Sequence, residues 1–230
     1  MTYAGISSVH SRRGVSKAAL VYEDLLTAII RLELKPGARI LKLEVCGRLG
    51  VSRQPLAEAV ARLADERLIV VEPQKGTFVA RIRLTDVVEA AFLRRALETA
   101  TVAAIARDID DVALEQLERI HRYQTLAAKT LDTEEFYALD LRFHGALFDR
   151  LAMPRVAGVI GSSRAQLERA RRLLLPTPGR TQKTLHEHHT IVATLRNRDP
   201  VAAATAMGDH LDEAMAELRR FAARQPDLFE

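Results

Sequence analysis

Residues 50–63 read GVSRQPLAEAVARL, and this stretch decides how the first third of the chain folds. Gly50 and Ser52 interrupt one helical pattern, and Leu56, Val60 and Leu63 then open another at helical spacing. Pro55 is tolerated in a first helical turn, where its missing N–H would have no intrahelical partner. Ser52 is placed to cap that turn through its side chain. The helix therefore begins at an exposed polar end carrying Arg53 and Gln54. Two readings fit: a surface turn before an ordinary core helix, or the turn and second helix of a DNA reader.

The flanking sequence separates them. Residues 17–32 carry Leu20, Val21, Leu25, Ile29 and Leu32 at helical spacing, and Lys35-Pro36-Gly37 breaks that helix. A short helix is expected over 42–49. After the quoted stretch, LIVVE (68–72) and TFVA (77–80) are β-prone runs around Pro73-Gln74-Lys75-Gly76, the pattern of a hairpin. Helix, helix, turn, helix and hairpin make a winged helix-turn-helix, whose recognition helix starts after Ser52 and faces the major groove.

Charge and composition agree with a DNA-binding first third. The net charge is +4, and residues 1–80 hold 12 Lys and Arg against 8 Asp and Glu, while the remainder holds 22 of each. All the excess positive charge thus lies where a polyanion would be met. Trp is absent and aromatics make up 5%, which disfavours base stacking on single strands. The single cysteine, Cys46, cannot form an intrachain disulfide and reads as small buried filler in the second helix. The N-terminus lacks the apolar core of a signal peptide and no stretch approaches a membrane span, so a cytoplasmic protein with no membrane partner is expected.

LKPGARI, GVSRQPLAEAVARL and QKGTFV together resemble the N-terminal domain of GntR-family transcription regulators, over residues 17–80 nearly without gaps. The resemblance implies binding to double-stranded DNA. Arg53 is suited to bidentate hydrogen bonding with guanine. Ser52 and Gln54 can contact phosphate or a base, Arg39 and Lys42 backbone phosphate, and Lys75 with Gly76 forms the wing tip that enters the minor groove. The chain departs from the family's pattern at Leu43 and Ala57, where Arg is usual. Either a different operator is read, or Arg39, Lys42 and Arg48 supply part of the phosphate binding. Arg67 replaces the usual helix-ending Gly, so strain is expected at that turn.

From Thr85 onward helical periodicity dominates. Thr85 or Asp86 can cap a helix to about Arg107, followed by helices near 111–129, 132–152, 154–174, 181–198 and 200–224. The fold class is mainly α: a winged helix-turn-helix over 1–80 (1–16 flexible), a linker at 81–85, an antiparallel bundle over 86–224 and a tail at 225–230. No Gly-rich phosphate loop or nucleophile elbow is present. The RARRLLLPTPGR run (169–180) reads as a solvated face rather than a second DNA site.

Periodicity selects four polar groups on inward faces of three helices: Asp140 and His144 at i and i+4 among Phe136, Phe143 and Leu147; His188 on the stripe of Leu185, Ile191 and Leu195; His210 with Ala203, Met207 and Leu218. His186 and His189 fall off the stripe. Buried polar groups need partners. Two arrangements satisfy them: a hydrogen-bonded network without ligand, or a divalent metal held by three imidazoles and one carboxylate, donors suited to zinc, nickel or manganese.

The pattern D-x-x-F-H (Asp140, Phe143, His144), E-H-x-x-I (Glu187, His188, Ile191) and M-x-x-H (Met207, His210) is similar to the FCD effector domain of the FadR subgroup, over residues 86–220. The resemblance implies that Asp140, His144, His188 and His210 bind a divalent metal, zinc first, with nickel and manganese as alternatives. Arg94-Arg95-Ala-Leu-Glu98 resembles the first-helix R-x-x-x-E of that domain, which makes Arg94 an effector-binding residue for an organic carboxylate. A salt bridge from Arg94 to Glu98 is the plain alternative.

The expectation is a homodimeric, ligand-responsive transcription regulator and not an enzyme. It would bind a palindromic operator and act as a repressor released by a small carboxylate. Its rivals are a metal-dependent hydrolase with an accessory DNA-binding domain and an architectural DNA binder without effector. Arg53→Ala is expected to cost about 1–3 kcal/mol at a selected operator and to relax base preference at one position. Competition against randomised duplex, read by gel shift, measures both.

Overall fold

The computed structural model describes residues 15–156, 159 and 164–230 of the chain. The flexibility expected of 1–16 falls outside the described residues except at Val15 and Ser16. Two compact units result, one made of the chain up to Leu84 together with Gln225–Glu230, the other of Thr85–Arg224.

In the first unit α1 (Lys17–Ile30) is started by Ser16, whose hydroxyl accepts from the Ala19 N–H at 3.1 Å. α2 spans Lys42–Leu49 and α3 spans Arg53–Asp65. The apolar stripes Val21, Leu25 and Ile29 of α1 and Leu56, Val60 and Leu63 of α3 are all buried. Each such side chain contributes on the order of 1.5–3 kcal/mol when fully buried. Tyr22 adds a polar tie: its hydroxyl donates to the Glu66 carboxylate (2.7 and 2.9 Å), with the Arg62 guanidinium 3.6 Å above its ring. Burial, then the bond to Glu66, pushes the Tyr22 hydroxyl up to about 12.

The wing is the antiparallel pair β1 (Ile69–Glu72) and β2 (Gly76–Val79), in register from Ile69 opposite Val79 to Glu72 opposite Gly76. The chain at 38–40 adds to the free edge of β2, with Ile40 N–H on the Thr77 carbonyl (2.7 Å) and Val79 N–H on that of Ala38 (2.8 Å).

One local expectation changes and another holds. Ser52 is the N-cap residue of α3, but its side chain makes no capping bond. The closure of the turn instead uses its carbonyl, which accepts from the Cys46 thiol at 3.6 Å, and the exposed hydroxyl stays at the helix end. Arg67 does adopt left-handed backbone, φ +57°, the strained conformation expected where Gly is usual.

The second unit contains α4 (Leu84–Ala106), α5 (Asp111–Lys129), α6 (Thr133–Leu151), α7 (Arg164–Leu174), α8 (Arg180–Arg196) and α9 (Pro200–Arg224). The helix expected over 154–174 runs partly outside the described residues, and only its later part is α7. Asp110 and Asp132 cap α5 and α6 by accepting from the Ala113 and Glu135 N–H groups, and Asp199 accepts from Val201 and Ala202 at the start of α9. α5, α6, α8 and α9 share a core that includes Leu117, Ile120, Leu139, Phe143, Ile191 and Met207.

The boundary residues also differ from expectation. α4 begins at Leu84, ahead of the anticipated caps Thr85 and Asp86, because the preceding backbone is held in place rather than loose. Residues 225–230 are not a free tail. Phe229 forms a parallel bridge to Ile82, the Ile82 and Leu84 N–H groups donate to the Leu228 and Glu230 carbonyls (2.9 and 3.1 Å), and Arg83 pairs with the Glu230 side chain at 2.6 Å. Ile82 and Phe229 are buried there. Phe229→Ala should therefore destabilise the first unit by about 3 kcal/mol. Urea unfolding of the full chain, followed by far-ultraviolet dichroism, should show the loss as an earlier first transition.

Candidate metal and effector site

His144 on α6, His188 on α8 and His210 on α9 meet in the interior of the second unit. Their ligating nitrogens all lie within 4.8 Å of one another, and all three side chains are buried. Each ring is held by its other nitrogen. His144 Nδ1–H donates to Glu98 Oε2 at 2.6 Å, His188 Nδ1–H to Gln124 Oε1 at 2.9 Å and His210 Nδ1–H to Glu187 Oε2 at 2.7 Å. Those acceptors fix one tautomer throughout, so every Nε2 is a bare lone pair. Each Nε2 is buried and has no hydrogen-bond partner among the described residues. Three converging acceptors with no donor are the electrostatic complement of a cation.

Asp140 lies beside them, with Oδ1 at 3.7 Å from His188 Nε2 and 4.0 Å from His144 Nε2. Its Oδ2 accepts from Arg171 Nη2 at 2.5 Å. It therefore meets two of the three histidines, with one oxygen turned to them and the other to α7.

Burial, aided by the Arg94 charge, lowers the His144 and His210 imidazoles, the latter to about 3; burial and then His210 lower His188 well below 6.5. All are neutral near pH 7, the form that ligates metal. Burial would raise the Asp140 carboxyl, but Arg171 and then His144 outweigh it and hold it well below the usual carboxylate range. Three neutral imidazoles and a carboxylate suit a divalent ion, and zinc, nickel and manganese all accept this donor set.

Arg94 is buried with its Nε on Glu98 Oε1 at 2.5 Å, so the expected salt bridge exists. The same Glu98 holds His144, which links Arg94 to the histidines through one carboxylate. Arg94 and Arg171 also line a cavity of about 200 Å3. The expectation of a solvated face over 169–180 fails. Arg169 and Arg180 are buried, Arg171 is largely so, and Arg180 pairs with Glu217 at 2.9 Å. Carboxylates brought from other helices stabilise the Arg171 and Arg180 guanidiniums that hydropathy alone assigns to water, while Arg169 donates to Gln166 on its own helix.

Sequence reasoning missed Gln124, Arg171 and the orienting role of Glu98. Gln124 was detectable, since it interrupts the buried α5 stripe of Leu117, Ile120 and Ala127. Arg171 carried no such signal inside its charged run.

In the first unit, Arg39, Lys42, Lys75 and Gly76 border one open cleft between the start of α2 and the wing turn. Ser52, Arg53 and Gln54 do not line it; they stand exposed at the start of α3, where Gln54 donates to Glu58 at 2.9 Å. Gly76 has φ +138°, and a Cβ there would lie 3.0 Å from Arg39 Nε, so glycine is required by the wing itself. Leu43 is 71% exposed on α2.

Residues 17–79 match the family described as bacterial regulatory proteins, gntR family, and residues 89–213 match the FCD domain. A regulator from an unstable DNA locus of Streptomyces ambofaciens is 32% identical, with 91% of this chain and 88% of that protein covered. The HTH-type transcriptional repressor RspR of Escherichia coli is 30% identical, with 91% and 92% covered. Among solved structures, a putative GntR regulator from Rhodococcus superposes with a TM-score of 0.76 at 24% identity, covering 89% of this chain and 98% of that one. No helix among the described residues is long and apolar enough to cross a membrane.

Glu187→Gln removes the charge that orients His210 while keeping the side chain's size. Zinc affinity, measured by competition with a chromophoric chelator, is expected to fall about ten- to a hundredfold.

Proposed function

The chain belongs to the gntR family of bacterial regulatory proteins with an FCD domain, a family of DNA-binding transcription regulators, and we propose that it is a repressor released by a small organic carboxylate bound beside a divalent metal. The relatives are named as regulators, which leaves the hydrolase reading without support. The repressor reading draws on the name of the Escherichia coli relative.

The observation that carries the metal and effector reading is the convergence of three buried Nε2 atoms without a hydrogen-bond partner among the described residues, joined through Glu98 to Arg94, which lines a cavity. His144, His188, His210 and Asp140 would hold the ion. Bound there, it would supply positive charge and an open coordination position for an oxygen ligand. Glu98, Gln124 and Glu187 keep the imidazoles turned inward, and Arg94 takes a ligand carboxylate by hydrogen bonding.

In the other unit Arg53, Gln54 and Ser52 would read the major groove, with Arg39, Lys42, Lys75 and Gly76 on the backbone and the minor groove. Two copies would pair on a palindromic operator. A carboxylate that binds the free conformation more tightly than the DNA-bound one lowers operator affinity by that same ratio.

Elemental analysis of untagged protein, before and after chelation and reloading with zinc, nickel or manganese, tests the centre. About one metal per chain is expected, with loss in His210→Ala; no metal under any loading would overturn it. Fluorescence anisotropy on a selected duplex tests the output, with an active carboxylate expected to weaken binding by roughly 5- to 150-fold.

A further inference from the structure

The cavity lined by Arg94 and Arg171 has an uneven chemistry. Its most enclosed polar groups are the guanidiniums of Arg94, which is buried, and Arg171, which is largely so. Its other charged groups are exposed ones: Arg95, paired with Asp212 through two bonds of 2.7 and 2.9 Å, and Arg219. The wall between is apolar, formed chiefly by Phe92, Leu211, Met215 and Leu218. None of the three histidines lines this cavity, so a ligand entering it meets the two arginines first.

We infer that the effector is a small monocarboxylate with an apolar body, its carboxylate taken by Arg94 and Arg171 together and its body laid against Phe92, Leu211, Met215 and Leu218. This rests on the carboxylate reading above and specifies the ligand's class.

Three observations support it. The volume, about 200 Å3, is that of roughly seven waters at ~30 Å3 each and lies below the ~300–1,000 Å3 of drug-sized sites, so the ligand is small. A guanidinium has five N–H donors, and Arg94 and Arg171 engage Glu98 and Asp140 through Nε and Nη2 respectively, leaving donors for one further carboxylate. Glu98 and Asp140 already match the two arginine charges, so each carboxylate added costs repulsion from those acids; a monocarboxylate adds one such charge, held by the spare guanidinium donors, and a tricarboxylate adds three.

The wall completes the selection. A polyhydroxylated acid would bury hydroxyls against leucine and methionine, where the one carboxylate on the lining, Asp212, already accepts from Arg95 through both oxygens, so most of those hydroxyls would lose their water without replacement. An apolar body loses nothing there. It would also cover Phe92, whose ring is 71% exposed beside the opening.

Isothermal titration of the full-length, zinc-loaded chain tests this with four probes. 3-Phenylpropanoate and 4-methylpentanoate represent the proposed class; gluconate and propane-1,2,3-tricarboxylate represent the alternatives. The first pair should bind at least tenfold more tightly, with a negative heat-capacity change between two temperatures. Arg171→Lys should weaken both of them through loss of the planar donor fork. Because that change also disturbs Asp140, Met215→Ser on the wall is the second variant: it should weaken the apolar probes several-fold at unchanged zinc content. Tighter binding of gluconate or the tricarboxylate, or apolar probes indifferent to Met215→Ser, would overturn the inference alone. If no probe binds while zinc content and DNA binding persist, the carboxylate reading falls with it.

Discussion

Three imidazoles present bare nitrogens to one another only because something else holds their N–H groups. Glu98, Gln124 and Glu187 do so, each from a helix other than that of the histidine it orients, Glu187 standing one residue before His188 on α8. The arrangement ties α4, α5, α6, α8 and α9 to a common point. It also sets the tautomer, because a carboxylate or an amide oxygen can only accept. Without a cation, three buried acceptors face one another unsatisfied, a cost that core packing around Phe143 and Met207 must offset. A bound cation, as proposed, would convert that liability into a reason for the helices to stay together.

The arginines extend the same logic outward. Arg94 shares Glu98 with His144, and Arg171 shares Asp140 with the histidine cluster. Each buried acid thus has one face towards the histidines and one towards a guanidinium. A ligand that competed for Arg94 or Arg171 would perturb an acid that also touches the cluster, so on the proposed reading metal and effector affinities would be coupled through two shared carboxylates. By linkage the coupling acts equally in both directions. The first unit is built differently. An apolar stripe on α1 meets one on α3, the Tyr22–Glu66–Arg62 tie closes their far end, and the polar groups suited to DNA remain on the surface.

Local chemistry made the first unit readable from residues alone. Its helices, turn and hairpin occupy one continuous stretch, and apart from the end of α3 at Arg67 the breaks are signalled by Gly or Pro close to where they occur. The strain expected at Arg67 appears as left-handed backbone for the same reason: helix termination is decided within a few residues. Spacing marks Ser52 as the N-cap position but does not reveal the bond that forms there, the Cys46 thiol on the Ser52 carbonyl. Residues 225–230 were misread as a tail because their partners, Ile82 to Leu84, lie more than a hundred positions away.

By itself the sequence determined the two-part organisation and the positive first third. It also determined that Asp140, His144, His188 and His210 face inward, since helical periodicity reports which side of a helix avoids water. Periodicity is silent on which inward faces meet. Only the tertiary structure brought the three histidines within 4.8 Å, supplied Gln124 and Glu187 as their anchors and placed Arg171 on Asp140. The physical reason is that a buried charge depends on partners from other helices, and helix packing, not local sequence, decides which partners those are.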